Sequence, residues 1–398
     1  MDGARTRGQG AAIRAVVRMV RGEAPPHAVL LVGPVGVGKT TLALDLAAGL
    51  FCEGDLDQRP CRACRTCRLT ERGAHPDLHR LAPLGPGRQV GIGGPGASFP
   101  GVRELIAELA LMPVEGGARV AIIEGAERMT EEAQTALLKT LEEPPAGVTI
   151  VLCADQETRL LPTVRSRCAR IRLGLVGTRD IEAIVADHDL ADPPLAARLG
   201  RLAAGRPGLA LAYARAPEAL LIRAELSRVP LDLIGASPSA RLAAGRAAIP
   251  RALALVAALK GRDDGPPAAR SPRGRAGPAT TAPGPRDDWD DAANDDAGMG
   301  RSRPIPAADR RRAIEILIVL WADLARDLAL VGAGGGRSVR DPVLLEELTS
   351  VAAMVEPVAV TRFLDRAVRA AELLASNVSP ELLLDSLVLA WPRGRAAA

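Results

Sequence analysis

One stretch near the N-terminus has the residue types and spacing of a phosphate-binding loop. Residues 33–40 read Gly-Pro-Val-Gly-Val-Gly-Lys-Thr and fit G-x-x-x-x-G-K-[ST], between a short apolar run and a helical pattern. The glycines allow backbone N–H groups to turn toward phosphate oxygens, and the helix N-terminus adds partial positive charge. The predicted nucleotide ligands are Gly33, Gly36, Gly38, Lys39 and Thr40. Lys39 is expected to contact the phosphates of ATP and Thr40 to ligate Mg²⁺; a chance glycine-rich turn is the alternative.

The carboxylates that hydrolysis requires are incomplete in the sequence. An ATPase with such a loop usually ends a later strand with an Asp for Mg²⁺, followed in many families by a Glu that activates water. Here the apolar run 119–123 is followed by Glu124, which can replace the Asp, and by Gly125, which has no side chain. Glu127 comes two residues later, where a turn is expected. The sequence therefore predicts a chain that binds ATP and hydrolyses little of it.

Four cysteines follow the predicted phosphate-loop helix within 16 residues. Cys52, Cys61, Cys64 and Cys67 have the spacing C-x8-C-x2-C-x2-C. In a reducing compartment this spacing favours a closed, tetrahedral, structural Zn²⁺ site over a disulfide framework. Redox chemistry by the C-x-x-C pairs is the alternative. Because no acid–base partner is evident, catalytic zinc is not expected.

The elements that must hold these residues alternate between strand and helix over residues 1–175. Short apolar runs, mostly bounded by Gly or Pro, are typical of buried parallel strands. The predicted strands are Ala28–Val32, Asp77–Leu81, Arg119–Glu124, Val148–Cys153 and Ala169–Leu173. A helix is predicted from 131, capped by Thr130, with its end at the prolines 144–145. The pattern indicates an α/β domain with a parallel sheet, and no strand is expected after residue 175.

Length and composition indicate several soluble domains. The chain has 398 residues, of which 47% are hydrophobic, and a net charge of +4. Residues 261–306 contain eight prolines and seven glycines, so we predict a disordered insertion there. No apolar run approaches the ~20 residues that span a bilayer, and the N-terminus lacks the apolar core of a signal peptide. A cytoplasmic protein without a membrane partner is therefore expected.

Taken in order, these motifs resemble one family, the AAA+ subunits of the bacterial replicative clamp loader. Besides the phosphate loop and the cysteine module, the resemblance rests on Ala-Leu-Leu-Lys-Thr-Leu-Glu-Glu-Pro-Pro at 136–145 and Ser-Arg-Cys at 166–168. It covers about 1–225 strongly and 307–398 weakly; residues 377–384 look like the last helices of the family's collar.

The resemblance implies a domain organisation. An α/β AAA+ P-loop domain with a zinc knuckle at about 52–67 occupies 1–175 and is followed by an all-α lid at 176–225. An all-α collar comprises 226–260 and 307–398. It further implies a hetero-pentameric ring with gamma or tau and delta subunits, which acts with the sliding clamp and primed DNA in the DNA polymerase III holoenzyme.

The resemblance also implies roles for single residues. Arg167 corresponds to an arginine finger that acts on the ATP of a neighbouring subunit, and Arg206 to a nucleotide-sensing arginine of the lid. Gly125 favours the delta-prime type of subunit, which donates a finger and contributes weak ATPase activity or none. A hydrolysing gamma or tau motor that uses Glu124 and Glu127 is the alternative, and a redox or metal-sensing enzyme built on the cysteines is a more distant one.

Overall fold

The computed structural model describes residues 4–22, 25–84, 88–115, 117–260, 306–374 and 378–394. Five strands are present in these ranges: β1 Ala28–Val32, β2 Leu78–Leu81, β3 Arg119–Ile123, β4 Val148–Ala154 and β5 Ala169–Arg172. The helices of the first 175 residues are α1 Gly10–Arg21, α2 Lys39–Phe51, α3 Arg65–Glu71, α4 Val102–Leu109, α5 Glu131–Glu142 and α6 Pro162–Arg165.

The five strands form one parallel sheet in the order β2-β3-β4-β1-β5. β1 lies between β4 and β5, with Val32 opposite Ala154 and Arg172. The apolar runs are buried because one hydrophobic cluster covers each face of the sheet. All five predicted strands are confirmed; β1 has the predicted limits, and the others differ by one residue at one end.

Parallel strands bring the residues that follow them to a common edge. Gly33 follows β1, Glu124 follows β3 and Asp155 follows β4, and these three strands are neighbours in the sheet. Ligands of open α/β sheets bind at this carboxyl edge. Residues that precede a strand, such as Arg167 before β5, lie at the opposite, amino edge.

Helix α5 shows how local sequence sets an element's limits. The Thr130 hydroxyl accepts a hydrogen bond from the Ala133 N–H at 3.2 Å, which caps the helix N-terminus as predicted. Two acidic residues in the first turn complement the helix dipole. The helix ends at Glu142, just before Pro144, which cannot continue it.

The chain after β5 is entirely helical in the described residues. The helices are α7 Thr178–Asp187, α8 Pro193–Leu202, α9 Pro207–Arg215, α10 Pro217–Asp232, α11 Pro238–Lys260, α12 Ala307–Gly332, α13 Leu345–Met354, α14 Pro357–Leu374 and α15 Pro380–Ala390. Their buried residues form one continuous apolar core that runs from Val176 to Trp391. The division of this region into lid and collar therefore remains a prediction. The predicted insertion at 261–306 lies outside the described residues, except for Pro306.

Helix α11 is long and apolar enough to cross a membrane by length and composition. In the fold one side of this helix is buried, and Ala252 and Leu255 on that side are fully buried against the surrounding helices. Arg241 on the same helix is also buried and donates hydrogen bonds to the carbonyl oxygens of Ile234 and Trp391. A core helix passes the same test, so this hydropathy is weak evidence for a membrane span.

Candidate nucleotide and metal sites

The predicted phosphate loop leaves β1 and enters α2, as the motif requires. Gly36 and Gly38 have φ angles of +78° and +100°, a left-handed conformation that residues with a Cβ adopt only with strain. A Cβ on Gly38 would meet no atom within 4 Å, so the space beside Gly38 is open. In the ranges given above, no protein acceptor takes the backbone N–H groups of residues 36–40. These donors are therefore available to an anion at the N-terminus of α2.

The ammonium group of Lys39 is bound by other groups of the protein. Its ammonium group donates to the carbonyl oxygens of Gly33 at 2.7 Å and Pro34 at 2.8 Å. It also donates to Asp155 Oδ1 at 2.6 Å, across the gap between β1 and β4. The lysine side chain is only 9% exposed. The three donors of the ammonium group are thus all engaged by the protein itself.

Helix α9 lies against the phosphate loop. The Gly208 N–H donates to the Gly36 carbonyl oxygen at 2.9 Å, and a Cβ on Gly208 would lie 3.3 Å from the Gly36 Cα. Arg206, the residue before α9, is half-buried, and its Cβ lies 3.5 Å from the position a Cβ of Gly36 would take. The predicted sensing arginine is therefore adjacent to the predicted phosphate site.

Glu124 lies at the carboxyl edge of the sheet but is bound to another side chain. Arg80 on β2 donates to Glu124 Oε1 from Nη2 at 2.5 Å and from Nε at 3.1 Å. Gly125 has a φ of +58°, and a Cβ there would lie 2.9 Å from Pro83 Cγ. Because the position is both left-handed and crowded, a side chain at 125 is strained.

Sequence analysis did not single out Asp155, and it gave Glu127 a role only in the alternative of a hydrolysing motor. Glu127 is buried, and its Oε2 accepts the Asp155 backbone N–H at 3.1 Å. Burial raises the pKa of the neighbouring Cys153 thiol, and the negative charges of Glu124, Asp155 and Glu127 raise it further. The available signal for Asp155 was its place directly after a buried strand, which predicts a side chain at the ligand edge.

The four predicted zinc ligands meet in one cluster. The Sγ atoms of Cys52, Cys61, Cys64 and Cys67 all lie within 4.8 Å of one another. Tetrahedral Zn–S bonds of ~2.3 Å place the sulfurs roughly 3.8 Å apart, so a small closure of the cluster fits the ion. Cys52 and Cys67 are buried against Ala48 of α2, while the other two are half-buried. The arrangement is compatible with a structural metal ion.

Hydrogen bonds around the cluster favour thiolate sulfurs. Backbone N–H groups point at the sulfurs, for example Cys61 N to Cys52 Sγ at 3.3 Å and Cys64 N to Cys61 Sγ at 3.4 Å. Burial acts to raise the pKa of Cys64, but hydrogen bonds from the Thr66 hydroxyl and from backbone N–H groups lower it to about 6. Burial raises the pKa of Cys52 and Cys67. A bound cation would therefore be needed to convert these two thiols to thiolates.

Asp45 connects the cysteine module to the phosphate-loop helix. Its side chain on α2 is 1% exposed and pairs with Arg62, which lies between two of the cysteines. The same carboxylate accepts the N–H groups of Arg5 at 3.1 Å and Thr6 at 2.9 Å, and the Thr6 hydroxyl at 2.7 Å. A single buried carboxylate therefore holds α2, the cysteine module and the N-terminal segment together.

Arg167 lies at the amino edge of the sheet, just before β5. Its guanidinium donates to the Thr163 carbonyl oxygen at 2.8 Å and pairs with Glu142 at 2.5 Å. The side chain is 33% exposed. The four residues of β5 separate the two edges by roughly 13 Å at ~3.3 Å per residue. Arg167 and the phosphate loop of the same chain are thus at opposite ends of the sheet.

Comparisons with known proteins find relatives of the N-terminal part of this chain. A family model described as "DNA polymerase III, delta subunit" matches residues 8–176. DNA polymerase III subunit delta-prime of Pseudomonas aeruginosa is 37% identical over 38% of this chain, and that of Escherichia coli is 36% identical over 47%. The tau subunit of Salmonella typhimurium is 32% identical over 44% of the chain.

The matched region is only part of each relative. It covers 44% and 54% of the two delta-prime proteins and 26% of the tau protein. A gamma subunit-related protein of known structure from Thermotoga maritima aligns over 95% of this chain and 97% of its own, with a TM-score of 0.39 and 16% identity, which is too weak for an argument. Over residues 8–176, the resemblance to the delta-prime family of DNA polymerase III clamp-loader subunits is therefore confirmed.

Proposed function

We propose that this chain is the delta-prime subunit of a DNA polymerase III clamp loader. In this role it is a largely non-hydrolysing AAA+ subunit that supplies an arginine finger to a neighbouring ATPase while the sliding clamp is loaded. The main support for the proposal is that no free carboxylate stands at positions 124 and 125, at the carboxyl edge of the sheet beside the phosphate loop. Glu124 is paired with Arg80, and Gly125 offers no carboxylate to activate water.

The position of Arg167 supports a role in trans. A finger must reach the γ-phosphate of its target, and the loop of this chain lies at the opposite edge of the sheet. A planar, permanently charged guanidinium suits the developing charge on a transferring phosphoryl group. The pair with Glu142 keeps the side chain in place until a neighbouring nucleotide competes for it.

The remaining parts of the proposal follow the family. Residues 176–225 act as the lid, with Arg206 as the residue that senses bound ATP. Residues 226–260 and 307–398 form the collar of a hetero-pentameric ring with gamma or tau and delta subunits in the cytoplasm. The four cysteines hold one structural Zn²⁺, and the clamp and primed DNA are engaged through the complex.

The decisive experiment measures ATP hydrolysis by a ring reconstituted on primed DNA. Arg167→Ala should leave folding and ring assembly intact and slow hydrolysis, because a finger in trans contributes roughly 10³–10⁵ in rate at a single site. The loss for the whole ring should be smaller, since other sites keep their own fingers. Arg167→Lys should not rescue, because a point charge lacks the planar fork.

Arg172→Ala is the matched control. Arg172 is an exposed arginine on β5 that pairs with Glu157, and its removal should leave hydrolysis unchanged. Rings that carry Arg167→Ala, assemble fully and turn over like wild type would show that Arg167 is a structural residue.

The alternative is a hydrolysing gamma or tau motor that uses Glu124 and Glu127. It predicts turnover by the isolated chain in the ordinary enzyme range, on the order of 1 s⁻¹ or more. The delta-prime proposal predicts ATP binding with little turnover. A steady-state assay on the isolated protein separates the two.

A further inference from the structure

The three contacts of Lys39 leave its ammonium group with no free donor. Two are carbonyl oxygens of the loop itself, which carry no net charge. The third is a carboxylate, Asp155 Oδ1, at 2.6 Å. This pair is mostly buried, with 9% of the lysine side chain and 27% of the aspartate side chain exposed. An ion pair of this kind is screened far less than one at the surface.

We propose that Asp155 is a latch that occupies Lys39 and so sets the nucleotide affinity of this phosphate loop. The inference rests on the proposed binding of ATP and adds the residue that controls it. A nucleotide must take Lys39 from Asp155 before the ammonium reaches the phosphates. Binding therefore costs the free energy of this charge-assisted hydrogen bond.

The backbone of Asp155 is held in place at this edge of the sheet by a buried carboxylate. Its backbone N–H donates to Glu127 Oε2 at 3.1 Å, and the Glu127 side chain is only 6% exposed. Glu127 is in turn 3.5 Å from the Arg128 guanidinium. The aspartate is thus anchored directly beside the strand β1 from which the loop departs.

The other carboxylates at this edge have cations of their own. Glu124 is paired with Arg80, and Glu127 lies beside Arg128. Within the described part of the chain, Lys39 is the one cation paired with Asp155. Once Lys39 moves to a phosphate, Asp155 faces an anion without compensation. A divalent cation between the carboxylate and the phosphates would remove this repulsion, so the latch also makes binding depend strongly on Mg²⁺.

The test is calorimetric titration of the full chain with ADP and with ATP, each with Mg²⁺ and with EDTA. Asp155→Asn keeps the shape and the backbone contact to Glu127 but removes the charge. It should bind nucleotide about tenfold more tightly than wild type, the factor expected for one charge-assisted hydrogen bond. Its gain should be largest in EDTA, where wild type has no cation to offset Asp155.

Two further variants keep the result interpretable. Glu157→Gln, which removes a carboxylate two residues away that pairs with Arg170 and Arg172, should bind like wild type. Asp155→Ser repeats the test with a small polar side chain, and the melting temperature of each variant reports whether it folds.

Equal or weaker binding by folded Asp155→Asn and Asp155→Ser would overturn the latch while leaving ATP binding in place. Binding by neither wild type nor these variants would overturn both the latch and the nucleotide half of the proposed function. Failure of the Arg167 experiment on the assembled ring would leave this result unaffected, because it is measured on the isolated chain.

Discussion

Replacing Asp45 with alanine tests whether one carboxylate joins the phosphate-loop helix to the cysteine module. The side chain is 1% exposed and accepts hydrogen bonds from the backbone N–H groups of Arg5 and Thr6, the Thr6 hydroxyl and the Arg62 guanidinium. Asp45→Ala removes all four acceptor contacts at once. Thr6, itself 5% exposed, cannot recover its partners from water.

The size of the effect follows from these contacts. Removing one partner of a buried ion pair costs about 3–5 kcal/mol, because the other partner stays buried and unpaired. Arg62 keeps a second carboxylate, Glu71, at 3.3 Å, which favours the lower end of that range. For a domain of 150–250 residues, 1 kcal/mol corresponds to ~2–4 °C. We therefore expect the α/β domain to melt ~6–12 °C lower.

Differential scanning calorimetry of the full chain measures this shift, since it resolves transitions that a single optical signal merges. Asp57→Ala is the control, because the Asp57 side chain is 94% exposed and lies 3.8 Å from Arg21. It should change stability by no more than ~0.5 kcal/mol. A shift for Asp45→Ala as small as that for Asp57→Ala would refute the argument that this carboxylate holds the three segments together.

Two further predictions concern the metal site and the loss of folding stability at low pH. We expect one zinc ion per chain, and Cys64→Ser should lose it and lower the stability of the α/β domain. Cys168→Ser, which lies outside the cluster, should keep the metal. Full zinc content in Cys64→Ser, measured by elemental analysis, would mean that the ligands are misassigned. Burial opposes ionisation of Asp77, but two backbone N–H groups and the Arg119 guanidinium hold the pKa of this carboxyl below its ordinary value. Its stabilising contribution is therefore present above the unfolded pKa of about 3.9 and is lost as the pH falls below it. Asp77→Asn should flatten this acid loss in urea titrations between pH 5 and 2, and an unchanged slope would contradict the assignment.

The features that could be predicted from the sequence are those set by local residue patterns. The loop at 33–40, the cysteine spacing and the Thr130 cap each depend on residues within a few positions of one another, so backbone geometry alone brings them together. The five strands were recognisable because burial on both faces requires continuous apolar runs. Strand ends were less certain, because the last residue of a strand is set by pairing with its neighbour.

The pairings that decide the chemistry were not predictable in this way. Lys39 meets Asp155 across 116 positions, and Arg80 meets Glu124 across 44. Both contacts depend on the strand order β2-β3-β4-β1-β5, which apolar runs do not specify. The polar residues at the strand ends can be read from the sequence, but the order of the strands decides which of them form ion pairs.

The backbone at Gly125 disfavours a carboxylate side chain at this position. Any single substitution at this position introduces strain, because every residue other than glycine must accept a left-handed φ and approach Pro83 at the same time. Aspartate and asparagine tolerate that φ best. Placing a carboxylate at position 125 with little strain therefore needs two coordinated changes, an acidic residue that suits the turn and a smaller residue at position 83. In the proposed delta-prime role, this backbone geometry would keep position 125 without a carboxylate even when single substitutions arise.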